Sequence, residues 1–134
     1  MGELAKSDDN KNLVGLFHRE DIGANMPPLY ARDIFLFDTR VAGTMYNDDI
    51  EEVSDALEPG SKLNFFREPE NEHDDLAIVI KTLEGNKIGY VPRRDNPVFA
   101  RLMDAGKELF GKVKEIYKSD YYIDIEIEIY LHED

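Results

Sequence analysis

Over residues 122–131 the chain alternates without a break: Ile123, Ile125, Ile127, Ile129 and Leu131 take one parity, and Asp124, Glu126, Glu128 and Tyr130 the other. Successive side chains on a strand point to opposite faces, so this segment is a β-strand with one buried face and one wet face. Such a strand needs neighbours, and the sequence supplies them. Ile34, Phe35, Leu36, Phe37, Thr39 and Val41, followed by Gly43-Thr44-Met45-Tyr46, read as one long strand over 33–46. Further strands are expected over 62–67, 76–83, 87–91 and 108–117, with Glu84-Gly85-Asn86 as the hairpin turn between the third and fourth. The spacing is too short for parallel crossovers.

Two helices interrupt the strands. Over 47–57, Ile50, Val53 and Leu57 fall at helical spacing, with Asp48, Asp49, Glu51 and Glu52 at the favourable N-terminal end and Pro59-Gly60 as the stop. Asn96-Pro97 marks the better-defined helix, a side-chain cap followed by proline at the first helical position, and Gly106 is its left-handed stop. Its apolar face is expected at Val98, Leu102 and Ala105, with Phe99 and Met103 beside it. The fold class is therefore mostly β or α+β, about six strands curved into a small sheet or barrel with one well-marked helix.

At the N-terminus, 1–12 is polar and aperiodic and is expected to fray. Residues 13–37 form a cover and the start of the first strand. Leu13, Val14, Leu16 and Phe17 there suggest a short helix capped by Asn12 and stopped by Gly23 and Pro27-Pro28. The main domain is expected over 38–117, with 118–134 as the strand completing it. At 134 residues the chain makes one ordinary domain.

Composition narrows the chemistry. The absence of cysteine excludes disulfides, thiol catalysis and thiolate metal sites, and leaves the cytoplasm as the default location. The longest apolar run, Leu76-Ala77-Ile78-Val79-Ile80, is too short to span a bilayer. No phosphate-cradling glycine loop is present, and His18, His73 and His132 show no zinc-binding spacing. The acidic loop Glu68, Glu70, Glu72, Asp74 and Asp75 lacks the register of a calcium loop and reads as a solvated connection. No metal, cofactor or catalytic residue is expected, and the chain is read as a non-enzyme.

The net charge of −13 opposes non-specific binding of polyanions. It is unevenly spread. Residues 81–118 hold nine bases against five acids, a local +4, while the remainder carries −17. Screening over roughly 8 Å lets a basic patch act on an acidic protein.

Four runs together resemble the HIRAN domain family: Val41-Ala42-Gly43-Thr44-Met45-Tyr46; Pro59-Gly60-Ser61-Lys62-Leu63; Arg67-Glu68-Pro69-Glu70-Asn71-Glu72-His73-Asp74-Asp75-Leu76-Ala77-Ile78; and Gly85-Asn86-Lys87-Ile88-Gly89-Tyr90-Val91-Pro92-Arg93. The resemblance spans roughly 38–117. It implies a small OB-like or SH3-like β-barrel, found alone or fused to ATPases and nucleases that act on damaged or stalled DNA, and it assigns any hydrolase activity to those fused domains. It further implies capture of single-stranded DNA 3′-hydroxyl ends, with DNA-repair proteins as further partners and no membrane or small-molecule cofactor.

On this resemblance Tyr46 stacks on a terminal base, Asn71 and Asp74 hold the terminal ribose hydroxyl, and Tyr90 with Arg93 flanks the last nucleotides and their phosphate. Arg67 is counted with them, with the alternative that it pairs with Asp74 or Asp75 to lock the loop. Tyr46 and Tyr90 have a structural alternative as barrel-wall residues. Met45 and Asn47 stand where the ligand-binding relative has a basic residue and a second aromatic, and Glu70 and Glu72 repel phosphate, so binding is expected to be weaker here. The competing reading is an acidic interaction domain or DNA mimic, whose Asp124, Glu126 and Glu128 bind basic proteins.

Overall fold

The computed structural model describes residues 32–133, so the expected tail and the helical cover before Arg32 lie outside the described residues. Six strands are present among those described: β1 (Arg32–Arg40), β2 (Lys62–Arg67), β3 (Ile78–Thr82), β4 (Lys87–Tyr90), β5 (Glu108–Lys118) and β6 (Ile123–Glu133). They form one antiparallel sheet in the order β1-β6-β5-β2-β3-β4. The alternating segment is β6, and it lies between β1 and β5 with Ile125, Ile127 and Ile129 fully buried. Each such side chain contributes about 1.5–3 kcal/mol on leaving water.

β1 and β4 stand at opposite ends of this order, yet the chain just beyond β1 pairs with β4. Ala42 N–H donates to the Tyr90 carbonyl at 2.7 Å, and Tyr90 N–H donates to the Ala42 carbonyl at 2.9 Å. The sheet therefore curves until its ends meet, the OB-like arrangement. Gly89 makes the approach possible, because a Cβ there would collide with the Ala42 carbonyl and the Val41 side chain.

Four expectations are corrected. The first strand stops at Arg40 instead of running to Tyr46, because Gly43 adopts φ 79° and turns the chain into a 3₁₀ turn at Thr44–Tyr46. Thr44 anchors that turn by donating from Oγ1 to the Ile123 carbonyl at 3.0 Å. The first helix, α1 (Ile50–Asp55), is shorter than 47–57, because the Asn47 side chain accepts the Asp49 N–H and donates to the Lys87 carbonyl.

The second helix, α2 (Asn96–Asp104), is rolled differently from the expectation. Asp95 takes the N-cap position, and Asn96 is a buried first residue instead of a cap. Its amide bonds the 68–77 loop, which turns Asn96, Phe99, Ala100 and Met103 inward at helical spacing and leaves Val98 62% exposed. The C-terminal stop is as read: Gly106 has φ 95°, with Gly106 N–H on the Met103 carbonyl and Lys107 N–H on the Leu102 carbonyl. The third strand begins at Ile78, later than 76, because Leu76 and Ala77 are held by the Asp74 carboxylate and carbonyl.

Candidate functional site

The loop between β2 and β3 is built by its own side chains. Asn71 Oδ1 accepts the backbone N–H groups of His73 and Asp74 at 2.8 and 3.1 Å, and Asp74 Oδ1 accepts the Leu76 N–H at 3.0 Å. These turns are what short polar side chains favour. They fix the Asn71 amide, whose Nδ2 donates to Glu68 Oε1 at 3.0 Å. The same oxygen accepts the Tyr90 hydroxyl at 2.8 Å, and Lys87 Nζ reaches that hydroxyl at 3.2 Å and lies 4.5 Å above the Tyr90 ring. Asn96 Nδ2 donates to Asp74 Oδ2 at 2.7 Å, and Arg93 Nε stands 3.7 Å from the same oxygen.

Around this lattice lies an open cavity of 510 Å³ whose lining includes Tyr46, Asn71, Asp74, Tyr90 and Arg93. Five of the six residues singled out in the sequence thus meet in one place, although they come from a 3₁₀ turn, a loop, a strand and the turn before α2. Tyr46 is 85% exposed at the mouth. Arg67 is not in the lining. It grips Asp104 with Nε at 2.9 Å and Nη2 at 3.2 Å, and donates to the Ala77 and Asp75 carbonyls at 2.7 and 3.0 Å. The open pairing of Arg67 with Asp74 or Asp75 is therefore replaced by a fork on Asp104, and only the Asp75 backbone is held. Glu70 and Glu72 are exposed and also outside the lining.

Sequence reasoning missed Lys87 and Asn96, which both line the cavity. Lys87 was legible as part of the basic stretch. Asn96 was hidden by its strong resemblance to a cap.

Both carboxylates of the lattice stay ionised. Burial alone would raise the Glu68 carboxyl, but hydrogen bonds from Asn71 and Tyr90 and the charges of Lys87 and Lys81 outweigh it and hold it below its ordinary value. Asp74 is likewise lowered, first by the Asn96 amide, against some burial, and then by the Leu76 N–H, Arg93 and Arg67. Lys87 acts on Glu68 and Arg93 on Asp74, so the hollow holds two cations that offset the lattice's two carboxylates within a chain of net charge −13.

Hydrogen-bond capacity defines what this hollow can hold. A carboxylate offers about four acceptor positions, and Asp74 gives one to Leu76 and one to Asn96, with Arg93 nearby, so acceptor capacity remains. An amide nitrogen has two N–H groups, and Asn71 uses one on Glu68. One acceptor and one donor side by side suit a hydroxyl group. By contrast, the β6 carboxylates are engaged on their own sheet: Arg40 spans Asp124 and Glu126 at 2.7 and 3.2 Å, and Glu128 accepts the Tyr130 hydroxyl at 3.1 Å.

The HIRAN domain matches residues 34–132. The chain belongs to the HIRAN domain family. A crystal structure of a protein from Lactobacillus plantarum is 32% identical, with a TM-score of 0.73 over 78% of this chain and 99% of the other. The crystal structure of the HIRAN domain of human HLTF shares the fold at 17% identity, with a TM-score of 0.58 over 76% of this chain and 80% of that one. The NMR structure of the HLTF HIRAN domain in its DNA-bound conformation also matches at 17% identity, with a TM-score of 0.52 over 73% of this chain and 78% of the other. No curated protein matches. Among the described residues of this HIRAN domain, no helix is long and apolar enough to cross a membrane.

Proposed function

We propose that this HIRAN domain is a non-enzymatic module that captures the 3′-hydroxyl end of single-stranded DNA in the 510 Å³ cavity and presents such ends to DNA-repair proteins. The observation that carries the reading is the pairing of a spare Asp74 acceptor with a spare Asn71 donor beside two aromatic rings and two cations. A terminal hydroxyl donates to Asp74 and accepts from Asn71. A terminal phosphate is mostly doubly ionised at neutral pH, so it rarely donates a proton and meets the negative charge of Asp74. Tyr46 and Tyr90 offer base stacking worth about 1–3 kcal/mol per base with little sequence preference, and Arg93 offers a fork to the adjoining phosphate. The DNA-bound conformation recorded for the HLTF domain supports nucleic acid as the ligand class.

Matched oligonucleotides ending in 3′-hydroxyl or 3′-phosphate, titrated by fluorescence anisotropy, test this. The hydroxyl end is expected to bind at least about tenfold more tightly, a difference of about 1.4 kcal/mol, with the preference lost in Asp74→Asn. Equal affinity for both ends sinks end capture. The competing reading as a partner for basic proteins is weakened by the internal engagement of Asp124, Glu126 and Glu128.

A further inference from the structure

Three further hollows adjoin the cavity, and they differ in charge; the one that shares Lys87 with it also holds Asp49, Glu52 and Glu84 and is acidic. On one side Tyr46 leads through its neighbour Met45 to a hollow of 270 Å³ beside Tyr121 and Tyr122, whose charged lining of Asp48, Glu51 and Asp120 is wholly acidic. On the other side lies the 93–95 turn. Arg93 and Asn96 line the main cavity, whereas Arg94 and Asp95 line an adjacent hollow of 260 Å³ whose other charged groups are Arg40, Lys114, Asp38 and Glu126, so its bases and acids balance. The opposite wall repeats this adjacency, with Ala42 on the main cavity and Thr39 and Arg40 on the adjacent hollow. One turn of chain separates the two.

The cations of this adjacent hollow are not equally engaged. Arg40 is held by Asp124 and Glu126 at 2.7 and 3.2 Å, and Lys114 by Asp38 at 3.2 Å. Arg94 stands 3.9 Å from Asp95, beyond hydrogen-bond reach, with its side chain 79% exposed, and Asp95 is already engaged by the Thr39 hydroxyl at 2.7 Å. The Arg94 fork is therefore available to a bidentate acceptor, and phosphate fits that geometry.

We propose that a DNA strand whose 3′ end occupies the main cavity leaves it over the 93–95 turn, with Arg94 holding the next backbone phosphate, and does not cross Tyr46 toward Tyr121 and Tyr122. This route rests on the end-capture reading and adds a direction and a second phosphate subsite to it. Each backbone phosphate brings a negative charge, which the acids beside Tyr121 and Tyr122 repel and the arginine turn attracts.

The test is a length series of oligothymidylates with 3′-hydroxyl ends, from dinucleotide to hexanucleotide, titrated calorimetrically against the full chain, Arg94→Gln and Tyr121→Ala. Both altered side chains are exposed, so the fold is retained, which thermal melting checks. Arg94→Gln is expected to weaken the hexanucleotide about three- to fivefold, to reduce its log–log salt slope by about 0.7, and to leave the dinucleotide unchanged. Tyr121→Ala is expected to alter neither. A hexanucleotide weakened by Tyr121→Ala and indifferent to Arg94→Gln, or bound no more tightly than the dinucleotide, overturns the route while the dinucleotide still reports end capture. Failure of every oligonucleotide to bind removes end capture and the route together.

Discussion

The outer face of β6 and the loop between β2 and β3 are both rich in carboxylates, and they use them in opposite ways. On β6, Asp124 and Glu126 share Arg40, and Glu128 receives a hydroxyl from two residues along its own strand. In the loop, Glu68 and Asp74 are fixed by Asn71, Tyr90 and Asn96 and still keep acceptor positions beside a concave, aromatic-lined space. The difference teaches that the number of charges does not mark a site, whereas unspent hydrogen-bond capacity held in a hollow does.

Arginine removal from each region gives the largest contrast. Arg67→Ala deletes a fork on Asp104 and two backbone contacts from a side chain only 13% exposed, and is expected to cost about 2–3 kcal/mol in chemical denaturation. Arg40→Ala, at 59% side-chain exposure on the β6 face, is expected to cost under about 1 kcal/mol. Equal losses would erase the distinction between the regions.

Tyr46→Ala separates binding from folding. Its exposed ring supports nothing in the core, so the melting temperature is expected to hold while oligonucleotide affinity falls by about 1–3 kcal/mol. Asn96→Ala acts on the loop by a smaller step. It removes the strongest influence lowering the Asp74 carboxyl, so NMR titration should find that carboxyl moved upward, with about 1–2 kcal/mol of stability lost.

The pH dependence follows from the same groups. Glu68 and Asp74 are lowered in the folded state, so their stabilisation is complete above the ordinary carboxylate range of about 4 and is lost as pH falls through the depressed folded values. Hydrogen exchange should therefore show the Asp74 and Leu76 amides protected at neutral pH and opening in acid. Protection that persists after both carboxyls are protonated would contradict the lattice.

Much of the fold was legible because its signals are local. The isoleucine alternation of β6 and the glycine stop of α2 each declare themselves within a few residues. The site was legible only through its family motifs. Nothing local reveals that Arg67 reaches Asp104 across 37 positions, or that Asn96 serves Asp74 and not its own helix start. The end of β1 was missed because Gly43 breaks the strand through backbone geometry, which a run of β-forming residues conceals.

Tyr90 belongs to two structures at once, since its backbone closes the barrel against Ala42 and its ring walls the cavity. Those two hydrogen bonds form a narrow seam, and any guest pressed against the ring acts as a clasp upon it. On the proposed function, a guest that binds only while the seam is closed would stabilise that closure, and whatever tightens the seam would raise its affinity.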